Sequence, residues 1–138
     1  MLYALESVVK QSTYDLDLLV AAHHILRNYD GNVITALAEI WAEEHLKMVK
    51  APKGAKGFDG TLPDGRRLQV KSKKYGARRD SGTYVTLSRS TLDLADDLLI
   101  VFVDYETLQI PRTLGPVAIR KLTDRKGRYY VSDIVKVI

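Results

Sequence analysis

Leu98 to Val103 is an unbroken run of six large apolar residues (Leu-Leu-Ile-Val-Phe-Val) within a chain of 138. A segment this short with no polar side reads as a β-strand whose two faces are both covered, which calls for a sheet with packed layers on each side. One domain of residues 1–138 is the expectation at this length, because two ordinary cores do not fit. With 46% hydrophobic and 28% charged residues the chain has enough apolar surface to fold. It has no cysteine, which excludes disulfide frameworks, thiolate metal sites and cysteine nucleophiles and fits a cytoplasmic protein. No apolar run approaches the ~20 residues of a membrane-spanning helix, and the start, with Glu6 and no basic residue before it, does not read as a signal peptide.

The net charge of +4 is unevenly spread. Residues 1–49 carry a net −4, residues 50–79 a net +8, and the remainder is nearly balanced. The basic block comprises Lys50, Lys53, Lys56, Arg66, Arg67, Lys71, Lys73, Lys74, Arg78 and Arg79. A concentrated positive potential recruits polyanions through counterion release, so nucleic acid is the expected partner, with anionic lipid a weaker competitor, no membrane span implied, and a solvated lysine-rich surface loop the plain alternative.

Helical spacing of Leu18, Ala22, Ile25 and Tyr29 predicts an amphipathic helix over 14–29, within an N-terminal helical extension of residues 1–31. Asp30-Gly31 breaks it, and Asn32 caps a second helix predicted to run to about Val49 with Val33, Leu37, Ile40, Trp41 and Met48 as its main apolar arc. Strands are predicted over 57–62, 67–72, 84–87 and 98–103, an edge strand over 107–111 and a late strand over 128–131. Short helices are predicted over 90–97, ending at Asp96-Asp97, and over 117–122 behind Pro116. The fold class is α/β: a mixed sheet with a central hairpin, flanked by helices.

The hairpin turn is Leu62-Pro63-Asp64-Gly65-Arg66. Pro63 presets φ, Asp64 suits the next position, and Gly65 accepts a left-handed backbone, giving a three-residue loop. If Leu62 and Arg66 close it, Asp59 lies opposite Gln69. Gln69 and Lys71 then share a face with Asp59, while Leu68 and Val70 join Phe58 on the other. On the second helix, Thr35, Glu39, Ala42 and Leu46 form one stripe whose only charge is Glu39, whereas Glu44 lies within the main apolar arc. An inward carboxylate needs a partner or a metal. Periodicity does not choose between Glu39 and Glu44.

Glu39, Gly57-Phe58-Asp59 and Leu68-Gln69-Val70-Lys71, in this order around a hairpin, resemble the PD-(D/E)XK nuclease superfamily, in which a helix supplies Glu, one strand Asp and the next Glu-x-Lys. The resemblance covers roughly residues 32–103, extends to small stand-alone members reading Gly-Tyr-Asp and Gln-Val-Lys, and selects Glu39. It implies a restriction-endonuclease-like fold and a nuclease that hydrolyses phosphodiester bonds, most readily DNA, with Mg²⁺ or substituting Mn²⁺. Asp59, Glu39, Gln69 and the Val70 carbonyl would hold the ion, and Lys71 would orient or deprotonate the attacking water. Lys73, Lys74, Arg78 and Arg79, with Lys53 and Lys56, would hold the phosphate backbone. Phe58 stands where the family often has Pro. Gln69 replaces an acid, which favours one ion over two. A non-catalytic nucleic-acid-binding module of the same fold, or an accessory subunit, is the alternative. A homodimer or a larger protein assembly is a further expectation. The adjacent His23 and His24 diverge by about 100° on a helix and do not form a chelating pair.

Overall fold

A computed structural model describes residues 2–138, with side chains described from residue 11 onward. Helix α1 spans Leu2–Leu26 and passes through a 3-10 turn, Arg27–Tyr29, to Asp30 and Gly31, both in the left-handed region. Asn32 then caps α2 (Val33–Leu46). Its side-chain oxygen accepts the N–H groups of Ile34 at 2.8 Å and Thr35 at 3.2 Å, two donors the first turn leaves without helical partners.

Five strands form the main sheet: β1 (Val49–Lys50), β2 (Gly60–Thr61), β3 (Arg67–Lys74), β5 (Asp97–Val103) and β6 (Arg112–Ala118), in spatial order β1-β2-β3-β5-β6. β3 and β5 are parallel and the other pairs antiparallel, so the sheet is mixed. A second sheet pairs β4 (Tyr84–Thr86) with β7 (Arg128–Tyr130), followed directly by α4 (Val131–Val135). The parallel step from β3 to β5 is bridged by β4 and by α3 (Arg89–Leu94), whose cap is Ser88, accepting from Thr91 N–H at 3.2 Å.

All seven residues of β5 are buried. Leu99, Val101 and Val103 face Leu68, Val70 and the α2 residues Ala38 and Ala42, while Leu98, Ile100 and Phe102 face Val85, Tyr129, Val131 and Ile134. The apolar run therefore supplies alternate residues to two cores, one on each face of the sheet. Full burial of such aliphatic side chains is worth about 1.5–3 kcal/mol each.

Several expectations are corrected. α2 stops at Leu46, because Lys47 turns left-handed (φ 57°), and residues 49–50 are a strand. The buried face of α2 is Ala36, Ala38, Glu39 and Ala42. Of the expected apolar arc, Val33 is exposed, Leu37, Ile40 and Trp41 are half-buried, and only Met48, beyond the helix, is buried. Small alanines let the helix axis approach the sheet closely, which the larger residues do not allow. Residues 107–111 form no strand. Asp104 accepts the N–H groups of Glu106 and Thr107, and the turn passes through a left-handed Leu108. Residues 117–118 end β6 instead of opening a helix, leaving only a 3-10 turn at Ile119–Lys121. Pro116 sits exposed on this edge strand, where a missing N–H is tolerated, and pairing with β5 overrides the local helix-start signal. Asp97 opens β5, buried, and does not end a helix. The stripe expected on α1 does not pack inward: Leu18 and Ile25 are exposed and Ala22 and Tyr29 half-buried. Among the described residues no helix is long and apolar enough to cross a membrane.

Candidate functional site

The β2–β3 pairing follows the register expected from the turn, Gly60 with Leu68 and Thr61 with Arg67. β2 is only two residues long because the chain leaves the sheet at Asp59. There Asp59 N–H still donates to the Leu68 carbonyl at 2.8 Å, and its carboxylate accepts Val70 N–H at 2.7 Å, standing in for the next backbone acceptor. Two glycines seat this segment. Gly57 has φ +89° and lies so close to the Ser90 carbonyl that a Cβ would fall 2.5 Å from it. At Gly60 a Cβ would overlap the Met48 side chain and the Val49 carbonyl. A larger residue at either place would displace the carboxylate between them.

Beyond Leu68 the β2-side edge of β3 is open, and a cavity of about 240 Å³ lies against it. Its lining includes Asp30, Thr35, Glu39, Asp59, Gln69, Val70 and Lys71. The five residues expected for catalysis and metal binding thus line one cavity, and none of the six expected to hold the phosphate backbone does. Strand alternation directs the Val70 carbonyl to the same edge as its N–H. The rival Glu44 is exposed and outside this lining.

Glu39 is 5% exposed. Burial, the neighbouring Asp59 charge and a hydrogen bond to Asp59 push its carboxyl up to about 7, against the opposing pull of Lys50. Lys50 Nζ donates to Glu39 Oε2 at 3.1 Å and lies 4.4 Å from the centre of the Tyr29 ring. The Tyr29 hydroxyl donates to Glu43 at 2.9 Å, and burial and that acid hold its pKa up at about 12. Lys50, Asp30, Thr35 and Tyr29 were not anticipated as site residues. Lys50 pairs with Gly60 in register, one residue from Asp59, and only a correct end for α2 would have shown it.

The basic residues divide. Lys73, Lys74 and Arg78 line a second cavity of about 420 Å³, next to the first along β3, with Ser72 common to both. Tyr84 and Tyr105 also line it, their rings beneath Lys73 at 5.4 Å and Lys74 at 5.7 Å. Burial and then the nearby Lys71 and Arg78 charges lower the Lys73 pKa. Lys53 lines a third, small cavity that shares Asp30, Glu39 and Asp59 with the first. Arg79 and Lys56 are exposed and line none of these three cavities. Arg112, outside the predicted set, is locked to Asp80 by two hydrogen bonds at 2.8 and 3.0 Å.

Two carboxylates, an amide oxygen and a backbone carbonyl form an all-oxygen donor set, which suits a hard divalent ion of the Mg²⁺ or Mn²⁺ type. Two acids crowd this cavity, and among the described residues the one ion pair to either of them is Lys50 to Glu39, an arrangement compatible with a cation there. Among the described residues no group of three or more His, Asp or Glu side chains is placed to hold a metal. No protein-family model matches the chain, and no curated protein matches it.

Proposed function

We propose that this protein is a metal-dependent nuclease with a restriction-endonuclease-like core, acting on DNA. The observation that carries the reading is the convergence of Glu39, Asp59, Gln69, Val70 and Lys71 on one cavity from a helix, a strand end and the central strand β3, whose β2 side is open beyond Leu68. A bound Mg²⁺ would neutralise charge growing on the phosphate oxygens as the ester is hydrolysed. Asp59, fixed by the Val70 N–H, would be its principal ligand, with Glu39, Gln69 and the Val70 carbonyl as the further protein oxygens that would hold it. Lys71, on the same cavity wall, orients the attacking water and offsets negative charge at phosphorus. Lys73, Lys74 and Arg78 run on from it and hold the sugar-phosphate backbone without reading sequence.

Wild-type protein should nick or cut plasmid DNA with Mg²⁺ or Mn²⁺, and Asp59→Ala or Lys71→Ala should lower that rate about a hundredfold or more with the fold intact. Wild-type protein inert on duplex and single-stranded DNA with both ions would overturn catalysis. The neutral Gln69 favours one second reading, a binding module of the same fold with a decayed centre. It predicts salt-sensitive DNA binding that Asp59→Ala leaves unchanged.

A further inference from the structure

Every described residue of α1 from Gln11 to Ala21 is exposed, including Leu16 at 61%, Leu19 at 68% and Val20 at 51%. The helix is 25 residues long, about 37 Å, and its main contact with the rest of the chain is the 3-10 turn at its C-terminal end. A single helix holding this much apolar surface in water is marginal, and such surface marks an interaction site. Ser12, Leu16, Leu19, His23 and Leu26 follow one another at alternating steps of four and three, the spacing of a coiled-coil seam, and the same spacing reaches back in the sequence to Leu2, Leu5 and Val9. Leu18 and Ile25 lie away from this seam, on the outer side of the helix, along the stripe that descends to the half-buried Ala22 and Tyr29.

We propose that α1 pairs antiparallel with α1 of a second copy of this chain. The sequence is self-complementary in that direction. With Leu16 facing the partner's Leu19, Ser12 meets the partner's His23, so that the two polar layers meet each other and the apolar layers do the same. Glu6 and Arg27 then occupy facing flank positions, which places opposite charges together twice about the two-fold axis. A parallel pair would instead stack His23 on His23 and bring Arg27 beside Ala22. In the antiparallel pair the two Leu26 positions are roughly 26 Å apart along the axis, so each folded body hangs from its own end of the helix pair. This pairing is independent of the nuclease reading.

Sedimentation of the full chain at tens of micromolar should give twice the 15.5 kDa chain mass. Leu16→Glu with Leu19→Glu should give one chain mass and leave the cooperative melt and the Trp41 emission of the body intact. Tyr14→Glu, on the opposite side of the helix and 59% exposed, should remain dimeric. The chain has no cysteine, so orientation is read by oxidation: Ser12→Cys protein mixed with His23→Cys protein should form a disulfide-linked dimer, and neither should do so alone. A monomeric wild type, a Leu16/Leu19 double variant that stays dimeric, or Ser12→Cys protein that cross-links to itself would overturn the proposal.

Discussion

Glu39 and Asp97 are equally buried, at 5% and 6% exposure, and are held in opposite ways. Asp97 receives both arms of Arg66, Nε at 2.8 Å and Nη2 at 2.6 Å, the fork geometry that satisfies a carboxylate. Asp97 in turn, by hydrogen bond and charge, raises the Arg66 pKa. Glu39 faces a second acid and has one lysine, which it reaches through a single contact. One carboxylate is answered by the fold, and the other is left short of positive charge beside an open strand edge. An acid left short of positive charge in a cleft is a candidate functional group, whereas one closed off by a bidentate arginine is structural.

Breaking each arrangement should have different consequences. Asp59→Ala removes the acid that crowds Glu39 and, in the nuclease reading, the metal with it. Its largest effect should be on cleavage, at least about a hundredfold, with little change in the melting curve. Arg66→Met leaves Asp97 buried and unanswered, so its largest effect should be on stability, a fall of several degrees in the thermal midpoint at pH 7, with metal binding retained.

Glu39→Gln sharpens the contrast through pH. Because the Glu39 pKa rises from an ordinary 4.5 to about 7 on folding, the folded state holds its proton more tightly. The associated stability is fully present below about pH 4.5 and is lost as pH rises through about 7. Urea titrations of wild type should show that loss, on the order of 1–3 kcal/mol, and Glu39→Gln should flatten it. Gly57→Ala should cost roughly 1–3 kcal/mol, since the residue is left-handed and the atom it would strike is backbone. The smallest effect should come from the groove: replacing Lys73 or Lys74 by Ala should lower the salt slope of DNA binding by about one each, equally for all sequences.

Much of the site was legible because its signals are local. Pro63-Asp64-Gly65 fixes the hairpin register, and the register alone sets Asp59 against Gln69. The run at Leu98–Val103 could only be a doubly covered strand. Other parts were hidden. α2 ends on Lys47, a left-handed residue without glycine to announce it, and this concealed β1 and Lys50. Pro116 carried a helix-start signal that tertiary pairing overrode. Glu39 could not be separated from Glu44 by periodicity, because helix approach through Ala38 and Ala42, and not the largest apolar arc, decides which face is buried.

Calorimetric titration of the full-length protein with Mn²⁺ near neutral pH is the most direct test of whether Glu39 and Asp59 form a cation site. The account predicts one ion bound per chain, a heat that changes with buffer because the ion displaces the Glu39 proton, and no binding to Asp59→Asn. Wild-type protein that takes up no ion, or an Asp59→Asn variant that binds as wild type does, would contradict it.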